Sequence, residues 1–379
     1  MEKNARKGAV ETEGRKTFAP LASLREKFLP PVAGKIFPEI THLFPTLTGQ
    51  NRKKMAANKP LYVYNGKLKM GSSMLGYHGS KTGTIRQIVH DGDTVNVRFA
   101  DNLGLRFLGV DTPEVSFQQP GSDRFVNIGH DSWAAFFTNG NWKTGLDKFD
   151  TGLLAHLDQR IGTGETVHSN HARHADLAEK SLETIMTADL DLSGRPREEF
   201  ELFMAFAHEF LDGYGRLLCY LNSATENFSR KTDKDAVKAF SYNERQLDAG
   251  VGMPYFIWPN VQPFISVKPF SEENVRPTQF WKLIGKASKL KAARRSVAEA
   301  RAGQVGIYAT TDPLILQPFE LRFISRRSLP NRYVINLADT GSNRLLPPQR
   351  YYTIEHLEDR LYLPSEYLPI FLAYGWVEG

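Results

Sequence analysis

Apolar residues alternate with polar ones at period two from Thr84 to Val110. "TIRQIV" and "TVNVRF" flank an "HDGD" turn, and "LRFLGV" follows an "ADNLG" turn. That pattern predicts a three-stranded meander. A second hairpin is predicted where "FELFMAFAHEFL" and "RLLCYLN" bracket "DGYG". Helical spacing governs other stretches. Leu177, Leu182, Ile185 and Met186 predict one helix, "YNERQLDAG" a short one ending at Gly250, and Leu283, Ala287, Leu290 and Val297 one face of a helix from Phe280 to about Ala302. Ser116 to about Thr166 is a Gly- and Asn-containing stretch, although Trp133, Phe136, Phe137 and Trp142 make it apolar enough to pack on the rest of the fold. After Gly306 come several strand-like runs, a Pro-Pro break and a terminal apolar helix candidate. These features divide the chain into a Pro-interrupted region over 1–80, a core domain over 81–308 that includes the stretch at about 115–166, and a small α+β extension over 309–379, either separate or packed on the core.

The chain has 379 residues, 41% of them hydrophobic and 24% charged, an ordinary globular composition with length for two or three domains. Its one cysteine, Cys219, excludes an intramolecular disulfide and a Cys-rich zinc site. No apolar run approaches the ~18 residues of a membrane-spanning helix. The basic start has no apolar segment behind it, so no secretory signal is expected and a cytoplasmic location is the default. Net charge is +6, but residues 1–60 carry 12 Lys/Arg against 5 Asp/Glu, so the excess lies in the N-terminal region. A basic segment suits an anionic partner such as nucleic acid, or is a solubilising tail. On the 280–302 helix, Lys282, Lys286, Lys289, Lys291, Arg294, Arg295 and Arg301 fill the polar side. A solvated surface is the commoner use of such a face, and phosphate contact the alternative.

Charges crowd the ends of the predicted strands: "HDGDTVNVRFADNLGLRFLGVDTPE" holds four Asp, one Glu and two Arg. Alone, "DGD" is ordinary hairpin punctuation. The set "DGDTV", "LRFLGVDTPE" and "DGYGR", in that order on those elements, resembles the thermonuclease (staphylococcal nuclease-like) family. The resemblance covers roughly Gly83 to Gly306 and extends weakly to "YNERQLDAG…YFIWPN" and the basic helix. It implies an α+β fold with a five-stranded OB-type β-barrel and three helices, and calcium-dependent hydrolysis of DNA and RNA phosphodiesters. By the same resemblance, calcium is held by the Asp93 and Asp111 carboxylates and the Thr112 carbonyl, with Asp91 in the surrounding water shell. Arg106, Glu114 and Arg216 are implied as catalytic, and Tyr214 and Tyr255 as contacts to the bound nucleotide. Glu114 to Arg216 is several dozen residues longer than the family pattern, so the insertion is expected to act as a lid, a specificity loop or a dimer contact.

The chemistry of these residue types agrees with that reading. Calcium takes oxygen ligands in a flexible shell that can admit a phosphate oxygen, where a metal acts as Lewis acid and template. Two arginines from different hairpins each offer a planar fork of donors to a phosphate whose equatorial oxygens gain charge. A carboxylate past the strand end can orient or deprotonate a water opposite the leaving 5′-oxygen, which gives 3′-phosphate ends. Tyrosines on an OB-type surface suit single strands or breathing duplex. The competing expectation is a catalytically restricted or inactive barrel that only binds nucleic acid or protein. His168, His171 and His174 in "HSNHARH" lie at three-residue steps, where a surface patch is the ordinary reading and a zinc or nickel site the sharper one.

Overall fold

In the computed structural model the described residues are 61–64, 67–70, 74–75, 84, 97–98, 104–122, 124–212, 215–223, 241–260 and 272–379. Most of the predicted meander, including the "HDGD" turn, lies outside them. The N-terminal part of the described chain holds four short strands, Leu61–Tyr64 (β1), Lys67–Met70 (β2), Met74–Leu75 (β3) and Val97–Arg98 (β4), paired β1 with β2 and β3 with β4.

The fold is mixed α+β, and among the described residues no sheet closes into a barrel. Two sheets meet at one bent strand. Leu105–Phe107 (β5) joins Leu217–Ser223 (β10) in parallel, and β10 pairs antiparallel with Leu202–Ala205 (β9), as the "DGYG" hairpin predicts. One residue later the chain resumes as Gly109–Asp111 (β6), now paired antiparallel with Met253–Ile257 (β11). Gly109 makes this change of sheet possible. Its φ is +76°, and a Cβ there would lie 3.1 Å from the Tyr220 hydroxyl. Glycine is the residue that tolerates both the conformation and the close approach.

The C-terminal residues complete the second sheet. Arg360–Pro364 (β14) lies parallel to β11, and Arg332–Asn336 (β12) lies antiparallel to β14, giving the order β12-β14-β11-β6. Every residue of β14 is buried, which marks it as an inner strand covered on both faces.

The insertion is built into the core. Ser116–Gln118 (β7) and Phe125–Asn127 (β8) form a hairpin, followed by Asp131–Thr138 (α1) and Thr151–Ile161 (α2). Trp133, Phe137, Leu153 and Leu157, each at most 2% exposed, join Leu321, Ile324, Val334 and Tyr351 in one apolar cluster. The insertion's aromatics therefore pack against the C-terminal residues.

Val167–Ser193 (α3) buries Val167, Asn170, His171, His174, Ala175 and Ala178, a stripe with 3-and-4 spacing, and ends at the left-handed Gly194. Tyr242–Asp248 (α4) starts on a reciprocal Ser241–Glu244 cap. The helix expected from Phe280 to Ala302 is two, after the one-turn Glu272–Val275 (α5): Pro277–Lys286 (α6) and Ser288–Ala302 (α7). They break at Ala287, whose ψ of 83° is not helical, while its methyl stays buried beside Leu290 and Val297. Three of the seven basic residues pair with carboxylates of the fold: Arg294 with Asp359, Lys289 with Glu244 at 3.5 Å, and Arg301, whose Nη2 donates to Glu358 Oε1 at 2.6 Å. Pro318–Arg326 (α8) and Leu368–Ala373 (α9) close the chain, and no helix among the described residues is long and apolar enough to cross a membrane.

Candidate functional site

The bend at Gly109 folds β5 back beside the end of β6, which brings Arg106 onto Asp111. Arg106 Nη2 donates to Asp111 Oδ1 at 2.7 Å, and Arg106 Nη1 lies 3.5 Å from Glu114 Oε1. The "DTPE" turn past β6 is anchored by α3: the Glu114 backbone N–H donates to His171 Nε2 at 3.2 Å. His171 is wholly buried and stands edge-on to Phe117. Burial pushes its imidazole down to about 3, so the ring is neutral and its Nε2 is an acceptor.

The fourth member of the cluster comes from α8. Arg322 Nη2 donates to Asp111 Oδ2 at 2.6 Å, and Arg322 Nη1 donates to Asp111 Oδ1 at 3.0 Å and to Glu114 Oε1 at 2.8 Å. Two carboxylates and two guanidiniums thus close a charge-balanced group around an aspartate only 1% exposed. Burial alone would raise the Asp111 carboxyl, but the nearby Arg322 and then Arg106 charges outweigh it and hold the group below its ordinary value. The same two carboxylates overcome the burial of Arg322 and raise its guanidinium further.

Arg216 stands one step away along the sheet. The β5–β10 register pairs Leu217 with Leu105 and Leu218 with Arg106, which sets Arg216 opposite Gly104. A Cβ on Gly104 would lie 3.3 Å from Arg216 Cγ, so Arg216 and Arg106 share one face, two positions apart. The "DGYG" turn aims Arg216 through Asp212, whose carboxylate accepts from both the Arg216 backbone N–H (2.9 Å) and Nε (2.7 Å).

Thr112 follows β6 directly. Tyr255 faces Gly109 across the β6–β11 pair, its ring stacked on Phe319 and its hydroxyl accepting from Arg332 Nη1 at 3.0 Å. Asp91, Asp93 and Tyr214 lie outside the described residues. His174 Nε2 lies 3.0 Å from the Asp312 carbonyl, and among the described residues no three metal-ligating side chains form a group.

Arg322 is the residue that sequence reasoning missed. A signal was present: "PFELRFISRR" sets an arginine inside an apolar helix. A charge so placed is held inside a fold by an opposite charge. Nothing in the pattern says which carboxylate it meets, 208 residues earlier in the case of Glu114.

The chain matches no known protein-family model and no curated protein.

Proposed function

We propose that the chain is a metal-dependent phosphodiesterase, a nuclease acting in the cytoplasm on DNA and/or RNA, with single strands or breathing duplex favoured. The observation that carries this reading is the convergence of Arg106, Asp111 and Glu114 at one sheet corner, with Arg216 on the same face as Arg106. The resemblance of "DGDTV", "LRFLGVDTPE" and "DGYGR" to thermonucleases supports it, and the five-stranded OB-type barrel with three helices is the fold that goes with it.

In this reading Arg106 and Arg216 hold the phosphate as its equatorial oxygens gain charge, each guanidinium offering a fork of donors. Both arginine contacts of Glu114 fall on Oε1, so Oε2 is the oxygen that takes a proton from, or orients, the attacking water. The 5′-oxygen leaves opposite that water and the new ends carry 3′-phosphate. Tyr214 and Tyr255 are the proposed nucleotide contacts.

Calcium is the cation the resemblance implies, with Asp93, Asp111 and Thr112 as ligands and Asp91 in the water shell. The described donors do not fit it as they stand. Asp111 Oδ1 accepts two N–H bonds and Oδ2 a third, and both donors carry positive charge. No step is therefore assigned to the metal. That occupation of Asp111 by two arginines is also what favours a second reading, a barrel that binds nucleic acid or protein without cutting.

Digestion of single-stranded and duplex DNA by the full chain, with calcium and then with EGTA, separates the two. Calcium-dependent cleavage leaving 3′-phosphates supports the nuclease. Arg216→Ala should then lower the rate by about 10²–10³-fold while near-UV circular dichroism is unchanged. Undiminished cleavage in that variant would sink the assignment of Arg216, and no cleavage by the wild type favours the binding module.

A further inference from the structure

We propose that Arg322 is the resident cation of the Asp111–Glu114 pair, and that a divalent metal reaches Asp111 only by displacing the Arg322 guanidinium. The inference rests on the metal-dependent reading above, and it adds a device built into the fold: helix α8 sets how much metal the site demands.

An ionised carboxylate offers about four lone-pair positions. Three of those on Asp111 are occupied, two on Oδ1 by Arg106 and Arg322 and one on Oδ2 by Arg322. Calcium binds carboxylate oxygens at about 2.3–2.6 Å and wants six to eight oxygens around it. The one position left, on Oδ2, adjoins the Arg322 Nη2 that is 2.6 Å from the same atom, so an ion placed there would face the positive charge of the guanidinium. The four charged side chains already sum to zero, so a divalent ion added with Arg322 in place meets no net negative charge from them.

The guanidinium is supplied by a part of the fold that cannot retreat. Helix α8 is capped at both Gln317 and Glu320, and Leu321 and Ile324 are wholly buried on either side of Arg322. Phe319, one turn before, is stacked on Tyr255 of β11. The helix is therefore fixed to the sheet that carries Asp111, and displacement is confined to the Arg322 side chain, which is 16% exposed and so has a path out. Metal and guanidinium therefore compete for the charge of one carboxylate.

The test is calcium titration calorimetry on the full chain, wild type against Arg322→Gln and Arg322→Lys, with near-UV circular dichroism to establish that each is folded. Calcium affinity should tighten at least tenfold in Arg322→Gln. Arg322→Lys, which keeps the charge and loses the fork, should fall between. Equal or weaker calcium binding by folded Arg322→Gln overturns the proposal, and so does absence of calcium binding in all three proteins. A measurement on the wild type needs no variant to be stable. The Arg322 Nε resonance, assigned as the signal missing from Arg322→Lys, should shift as calcium saturates the protein, and a stationary resonance overturns displacement. Digestion assays run beside the titrations keep the two ideas apart. Cleavage by the wild type with unaltered affinity in Arg322→Gln sinks the competition and leaves the nuclease. Tighter binding with no cleavage by any of the proteins leaves the competition and sinks the nuclease.

Discussion

Replacing Arg322 by methionine removes a guanidinium that makes three charge-assisted hydrogen bonds, and it leaves Asp111 buried at 1% exposure. Breaking a buried ion pair from one side typically costs 3–5 kcal/mol, because the remaining charge is stranded away from water. Here Arg106 stays on Asp111 Oδ1, so the cost should fall at the lower end, about 3 kcal/mol. Asp111→Asn removes the charge instead and should cost about 2 kcal/mol, since Arg322 keeps its bond to Glu114. In the double variant neither charge is stranded by the loss of the other. The two costs should then fail to add by about 2 kcal/mol, the coupling expected of side chains in direct contact. Urea unfolding of the four proteins, compared at unchanged slope, reads this out. A half-exposed pair serves as control: Arg350→Met, which loses Asp150 at 3.2 Å, should cost under about 1 kcal/mol. A coupling below about 0.5 kcal/mol between positions 111 and 322 would show that the two are energetically independent, and would refute the site as described.

Three other outcomes follow from the same fold. Gly306 has φ of +58°, and a Cβ there would come 2.1 Å from the Gly250 carbonyl oxygen, so Gly306→Ala should destabilise by about 3 kcal/mol or more in urea; a loss under about 1 kcal/mol would contradict that packing. Burial pushes the Cys219 thiol up to about 11, so iodoacetamide at pH 8 should label it only after unfolding, and rapid labelling of the folded chain would place it elsewhere. The hydrogen bond from Arg173 holds the Asp312 carboxyl below its ordinary value, so Asp312 binds fewer protons folded than unfolded. Its contribution is present above about pH 4 and lost as pH falls through the lower folded value. Asp312→Asn should therefore flatten the acid limb of stability against pH, and an unchanged limb would count against the pair.

Local pattern was enough wherever a residue's neighbours in the chain are also its neighbours in space. Helix α3 was legible from the spacing of Leu177, Leu182, Ile185 and Met186, although Leu177 is exposed and the buried stripe starts at Val167; α4 was legible from the run that ends at Gly250, and the β9–β10 hairpin because "DGYG" separates two apolar runs. One helix became two at Ala287 because periodicity reports which face is buried, and the buried face continues through the break. The charged residues on either side of Gly109 were expected to converge, and Arg106, Asp111 and Glu114 do come together. The insertion was not, because its aromatics are matched by partners about 180–220 residues later, such as Leu321 and Tyr351.

By itself, then, the sequence determined a mixed α+β chain, its main helices and second hairpin, and a concentration of opposite charges at the end of β6. Tertiary structure alone decided that β14 lies parallel to β11, that the insertion and the C-terminal residues share one core, and that Arg322 faces Asp111. The physical reason is the same for all three. Strand order, core sharing and ion pairing depend on which surfaces meet across long loops. The free energy that selects them, burial of apolar area and neutralisation of a buried charge, has no signature in the spacing of residues along either segment taken alone.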